Sequence, residues 1–164
     1  MIKNIKLPSP SKGFTLVELL VVIAIIGVLS SLVLLQLGTA RAKARDAKRI
    51  SDISAFRTAM ELYFDDNGGR YPTAMTFANI GVYFTSPALP TDPISAQAYN
   101  YAFNPATNPT QYQVWAELER TNTAALTGDS DIVSTGWTSG TRINGATEAC
   151  TTAANDCVYD LGQN

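Results

Sequence analysis

Twenty residues, Leu16 to Leu35, carry a single charged side chain, the carboxylate of Glu18. As a helix such a run rises about 30 Å, which matches the hydrocarbon thickness of a bilayer. It is long enough to span a membrane and longer than the apolar part of an ordinary cleavable signal. Ahead of it stand Lys3, Lys6 and Lys12 with no acid, the pattern of a basic leader. Two outcomes fit. Small residues at Gly38, Ala40 and Ala42 could mark a cleavage site that releases a secreted domain. Alternatively the run stays as an anchor and its helix continues.

The residues that follow favour continuation. No proline interrupts the chain between Pro10 and Pro72, and "TARAKARDAKRISDISAFRTAMELYF" is rich in good helix formers. Ile50, Ile53, Phe56 or Arg57, Met60 and Phe64 recur at three- to four-residue spacing, which makes one apolar face. "DDNGG", Asp65 to Gly69, ends the pattern with residues that tolerate left-handed backbone. The expectation is one helix from Phe14 to about Asp65, some 52 residues and roughly 78 Å long. Its first half suits a membrane, and its second half suits the underside of a soluble domain.

Charge separates the chain further. Residues 41–57 hold Arg41, Lys43, Arg45, Lys48, Arg49 and Arg57 against Asp46 and Asp52, a basic stretch able to meet anionic headgroups or acidic neighbours. From Glu61 onward three basic residues face eleven acids, a net of −8, which argues against nucleic-acid binding by that part. After Pro72 the pattern changes to loops and short strands. Thr73 to Gln97 reads as a connection with a short helical or extended piece near Ile80 to Phe84. Ala98–Phe103 and Gln111–Leu118 read as strands joined by a hairpin loop, "NPATNPT". Asp131–Thr135 and Cys157–Leu161 are the third and fourth strand candidates. The fold class is α+β, a small antiparallel sheet laid on the second half of the helix, with Tyr112, Val114, Trp115 and the aromatics of the first strand as its core.

Chemistry is sparse. The chain contains no histidine, so the commonest general base and metal ligand is absent, and Lys48 is its last lysine. Its serines and threonines have nothing to activate them, which excludes an enzyme reading. Asp129 and Asp131, with Ser130 between them, read either as a solvated acidic loop or as oxygen ligands for calcium. Cys150 and Cys157 are too few for a zinc site. Outside the cytoplasm they would close a small disulfide loop, stabilising by about 2.5 kcal/mol in the chain-entropy account; the alternative is two buried thiols.

Lys12-Gly13-Phe14-Thr15-Leu16-Val17-Glu18 resembles the processing motif of type IV pilins and type II secretion pseudopilins. "GGRYPT", Gly68 to Thr73, is similar to the turn after the long helix in pseudopilins and many small pilins. "LPTDPISAQAYNYAF", Leu89 to Phe103, is more loosely similar to the proline-rich turn and first strand of the major pseudopilin. The resemblance implies cleavage between Gly13 and Phe14 by a prepilin peptidase and N-methylation of Phe14. It implies residence in the cytoplasmic (inner) membrane, an inner-membrane assembly platform, and polymerisation with identical or related subunits into a helical fibre. It divides the chain into a leader (1–13), a membrane and fibre-core helix (14–37), a soluble helical half (38–66) and an extracytoplasmic head (67–164). Major pseudopilins bind calcium in a C-terminal loop, but their glycine- and aspartate-rich ligand loop is not recognisable here.

The same resemblance gives Glu18 a task. A carboxylate in a bilayer core costs about 2.5–3.5 kcal/mol on insertion scales. In such fibres it meets the N-terminal amine of a neighbouring subunit, neutralising two charges and setting the axial stagger. A surface pilus and a secretion pseudopilus both remain open: the cysteine pair resembles the disulfide loop of pilins, while "GGRYPT" leans towards pseudopilins. Two other classes compete, a membrane-anchored monomeric binding module and a minor pilin that captures DNA through a patch around Arg120 or Arg142.

Overall fold

The computed structural model describes residues 13–121, 123–137, 139–147, 150 and 157–164. Most of the expected leader and the loop between the cysteines lie outside the described residues. The chain divides into two compact units, Met1–Thr39 and Ala40–Asn164. Helix α1 is Leu16–Asp66, 51 residues. The other elements are α2 (Phe77–Ile80) with a 3₁₀ turn Gly81–Tyr83, β1 (Asn100–Asn104), β2 (Gln111–Glu117), α3 (Thr123–Leu126), β3 (Ser139–Gly140) and β4 (Val158–Gln163).

In the first unit every described side chain of α1 from Leu16 to Thr39 is exposed. Leu, Ile, Val and Ala dominate this stretch, and 2.8 is its mean hydropathy over the most apolar window. In the second unit α1 buries one stripe: Asp46, Arg49, Ile53, Phe56 and Met60, at three- and four-residue spacing. The choice between Phe56 and Arg57 falls to Phe56, fully buried. The helix ends where Gly68 and Gly69 take positive φ (67° and 77°) and the Gly69 N–H donates to the Phe64 carbonyl at 3.0 Å, a Schellman closure.

That stripe packs on a four-stranded antiparallel sheet in the order β3-β1-β2-β4. β1 and β2 form a hairpin with Tyr101 opposite Val114, and β2 pairs β4 with Val114 opposite Leu161. Tyr112, Val114 and Ala116 face the helix, joined by Tyr71, Ile80, Tyr99 and Tyr101. The Tyr71 and Tyr112 rings lie 4.4 Å apart, and both hydroxyls donate to Glu61 on α1, at 3.2 Å and 3.0 Å. "GGRYPT" acts here as a strap. The Tyr71 N–H donates to the Pro109 carbonyl at 2.8 Å, and the Pro72 carbonyl accepts the Tyr101 hydroxyl at 2.8 Å.

One expectation is refined and one corrected. Trp115 is buried, but alternation along β2 turns it away from Tyr112 and Val114, so it packs with Ile143 and Val158 on the sheet's second face. Asp131–Thr135 is not a strand. Asp131 takes a φ of 48°, and only Val133 bridges, to Asn144; the third strand is Ser139–Gly140. Ile132 and Ser134 are buried while Val133 is exposed, because the segment lies over the second face instead of extending the ladder.

An ion network joins the elements of the second unit. Arg49 donates from Nη1 to Asp46 (3.0 Å) and Glu119 (2.8 Å) and from Nε to Asp92 (2.6 Å). Burial works to lower the Arg49 pKa, but the hydrogen bonds to Asp92 and Glu119 prevail and raise it. Arg45 also pairs with Glu119, and the Glu119 N–H donates to Asp46 Oδ1 at 2.9 Å. Removing the central cation would strand Asp46, which is 4% exposed. Arg49→Met is expected to cost about 3–5 kcal/mol in denaturant unfolding, and Asp46→Asn less. Equal, sub-1 kcal/mol effects from both would show that the network carries no weight.

Candidate functional site

Two clusters of polar groups stand apart from the packing just described. The first is at the start of α1. Thr15 precedes the helix and Glu18 lies in its first turn. The Thr15 N–H and hydroxyl both donate to Glu18 Oε2, at 2.8 Å and 2.7 Å, and Thr15 Oγ1 accepts the Glu18 N–H at 3.2 Å. This is a reciprocal capping box, the threonine and glutamate each satisfying a helix-end donor of the other. Thr-x-x-Glu ahead of an apolar run is its sequence signature, and that signal was present at 15–18. Glu18 thus has a partner inside its own chain. Gly13 and Phe14 are exposed just before the helix, Phe14 at 84%.

The second cluster lies on β4 and the segment that covers the sheet. Ligand oxygens of Asp129, Asp131 and Asp160 all fall within 4.8 Å of one another. Asp129 and Asp131 are the expected pair; Asp160 is the addition. It sits in "CVYDL", where an acid at an inward strand position was the available signal. Asp160 is fully buried. Its Oδ2 accepts from the Ile132 N–H and from Gln113 Nε2, both at 3.1 Å, while its Oδ1 has no hydrogen-bond partner. Burial pushes its pKa up to about 6; those two hydrogen bonds oppose the rise and the Asp131 charge adds to it.

The backbone is fitted around these groups. The Asp160 carbonyl accepts the Ser130 N–H at 3.0 Å, and the Asp160 N–H donates to Asp129 Oδ2 at 3.2 Å. Ser130 Oγ accepts the Gly162 N–H at 3.3 Å, and the Thr147 carbonyl accepts the Val158 N–H at 2.9 Å. Gly145 passes so close that a Cβ there would fall 2.3 Å from Asp160 Oδ1. A bare carboxylate oxygen, two further carboxylates and a glycine-lined wall suit a hard cation that takes oxygen ligands.

The remaining expected residues are spread out. Cys150 and Cys157 are joined in a disulfide, with Cys157 buried immediately before β4. Arg142 donates to the Trp137 carbonyl at 2.7 Å, whereas Arg120 is exposed. Among the described residues, nothing resembling a nucleophile and its base is brought together.

Comparison with known proteins bears on the first cluster most. Residues 8–34 match the model of the prokaryotic N-terminal methylation motif. The type II secretion system core protein G of Dickeya chrysanthemi is 43% identical over 82 residues, 50% of this chain and 52% of that protein. The protein of the same name from Escherichia coli K12 is 44% identical over 89 residues, 54% of this chain and 57% of that one. A fimbrial protein of Pseudomonas aeruginosa is 42% identical over 50 residues, 30% of this chain and 32% of that one. The chain spans about half the length of the core G relatives it matches. No solved structure matches it. The resemblance to pilins and pseudopilins read from residues 12–18 is borne out by the motif and by these relatives.

The second cluster predicts a pH dependence. Asp160 titrates near 6 when folded and near 4 when unfolded, so folding favours its protonated form. Its contribution is fully present below pH 4 and is lost as pH rises through 6, about 3 kcal/mol in all. With a chelator present, Asp160→Asn should flatten that part of the stability profile, followed by denaturant midpoints between pH 4 and 7. A slope unchanged in the variant would assign the effect to other groups.

Proposed function

We propose that this chain is a structural subunit of an open helical fibre of the type II secretion pseudopilus kind, and that it works without catalysis. One observation carries the reading: the exposed apolar part of α1, Leu16 to Leu37, lies almost wholly within residues 8–34, the stretch that matches the N-terminal methylation motif. Such a surface has no stable place in water, and it needs lipid or other helices. Side-by-side packing of that helix in a head-to-tail manner gives a filament that does not close.

In this reading a prepilin peptidase cuts between Gly13 and Phe14 and the new amine is methylated. The subunit waits as a single-pass protein of the cytoplasmic membrane, with the soluble helical half and head (38–164) on the far side. An inner-membrane platform then passes it to identical or related subunits. Glu18 is satisfied by Thr15 while the subunit waits, and it turns to the Phe14 amine of a neighbour on assembly. The pseudopilus is favoured over the surface pilus because likeness to core protein G reaches 82–89 residues, against 50 for the fimbrial protein. The surface pilus keeps one supporting observation, the C-terminal disulfide.

The head contributes a cation site in the same reading. Asp129, Asp131 and Asp160 hold calcium, whose charge offsets three carboxylates within 4.8 Å. Calcium would tie the covering segment to β4.

Three outcomes follow. Protein from its native host should begin at N-methylated Phe14 by mass spectrometry; a start near Ala42 would mean a cleaved signal instead. Glu18→Leu should insert into membranes at least as well as wild type yet give little fibre, with Glu18→Asp intermediate, judged by the ratio of fibre-associated to membrane-held subunit. Wild-type fibre yield from Glu18→Leu would remove the carboxylate from assembly. Millimolar calcium should raise the unfolding midpoint of wild type and leave that of Asp160→Asn unmoved; equal responses would place the ion elsewhere.

A further inference from the structure

A second concave feature lies away from both clusters. A cavity of about 360 Å³ opens between α1 and the segment after β2, lined by Lys43, Asp46, Ala47, Ile50, Arg120 and Thr121. Its charges are unequally committed. Asp46 is buried and already accepts from Arg49 and from the Glu119 N–H. Lys43 and Arg120 are exposed and, among the described residues, form no ion pair. The cavity therefore presents two cations with no ion pair among the described residues, a threonine and an isoleucine, with its one acid neutralised.

Arg120 is held at this place by the sheet. The Leu118 N–H donates to the Cys157 carbonyl at 2.8 Å, and Cys157 Sγ lies 3.6 Å from the Arg120 carbonyl oxygen. That sulfur is in a disulfide and has no proton, so the contact is packing and not a hydrogen bond. Lys43 comes from the helix, six residues after Leu37 at the end of the apolar run. Six residues span at most about 20 Å however they are arranged, which caps the distance of Lys43 from the end of the apolar run.

We propose that this cavity binds the phosphate of an anionic membrane lipid, with the Arg120 guanidinium gripping two phosphate oxygens and the Lys43 ammonium supplying a point charge. A guanidinium fork matches phosphate geometry, and cations near an anionic surface each strengthen binding about fivefold. Thr121 offers a hydroxyl donor, and Ile50 gives apolar surface to the glycerol end. This rests on the reading of Leu16–Leu37 as a membrane segment. The site would hold the head to lipid while the subunit waits, and it would have to let go when the subunit leaves the membrane.

The test uses the full chain in neutral detergent micelles, titrated with short-chain phosphatidylglycerol, short-chain phosphatidylcholine or inorganic phosphate, with binding read from the Arg120 side-chain NMR signals and from lipid retained in native mass spectra. Saturable binding of phosphatidylglycerol alone is expected, about fivefold weaker in Lys43→Gln or Arg120→Gln and about 25-fold weaker in the double variant. Arg57→Gln, an exposed cation of the same helix outside the cavity, should match wild type. In Arg120→Gln and in the double variant, binding is followed by native mass spectrometry alone. Equal binding of phosphatidylcholine, or unchanged affinity in the double variant, would overturn the proposal. Binding of inorganic phosphate as tight as that of phosphatidylglycerol would overturn the lipid assignment. Lipid-free self-association lost in the double variant would overturn it in favour of an acidic face on a second copy. Alkaline extraction of cell membranes tests the anchor separately: chain released by that treatment would sink the membrane reading, while the micelle titration still decides the cavity.

Discussion

A guanidinium taken out of water has to be matched, and Arg49 is matched by carboxylates from three separate parts of the chain. Asp46 is on its own helix, Asp92 is in the proline-rich turn, and Glu119 follows β2. Geometry this specific leaves little freedom in how those three segments lie. Further along the helix the pattern repeats with neutral donors: Asp52 accepts from the Tyr99 hydroxyl at 2.7 Å, and Glu61 from Tyr71 and Tyr112. Burial raises the pKa of all three tyrosines, and the neighbouring acids add to it, so their hydroxyls stay protonated as donors. The joint between helix and sheet is therefore apolar in its bulk and fixed in register by polar pairs along one side. An apolar stripe alone would tolerate sliding by a turn; these pairs would not survive it.

The sheet sets the other requirement. β2 is buried on both faces over Tyr112–Ala116, so the helix can satisfy only half of it. The stretch around Ile132, Trp137 and Ile143 supplies the second cover. Once that stretch crosses β4, its acids meet Asp160, which is how a polar cluster arises at the rim of an otherwise apolar layer. The carboxylate site is thus a by-product of how the sheet is covered, and its most buried member belongs to the sheet itself.

The sequence made the helix legible because composition, the lack of proline and the closing glycines all agree between residues 14 and 69. The hairpin was legible because β1 and β2 are separated by an obvious turn. Trp115 was legible as core, but its face was not, because a strand buried on both sides loses the alternation that would distinguish them. Asp131–Thr135 has true strand alternation, but its backbone pairing stops at the single bridge from Val133 to Asn144, so it lies on the sheet's second face without joining the sheet. Asp160, and the pairing of Arg49 with Asp92 and Glu119, were missed for one reason: the groups that meet lie dozens of residues apart, and local pattern carries no record of them. Thr15 was different. Its capping role is written in four consecutive residues, Thr15 to Glu18.

β4 is an edge strand, and unprotected edges recruit strands from other molecules. Its outward N–H groups, at Val158, Asp160 and Gly162, are already taken by the Thr147 carbonyl, the Asp129 carboxylate and the Ser130 hydroxyl. No row of free donors is left for a neighbour's backbone to zip onto. If heads crowd together in the proposed fibre, strand exchange between them, the usual route from ordered assembly to amyloid-like aggregate, is closed at the β4 edge by three hydrogen bonds.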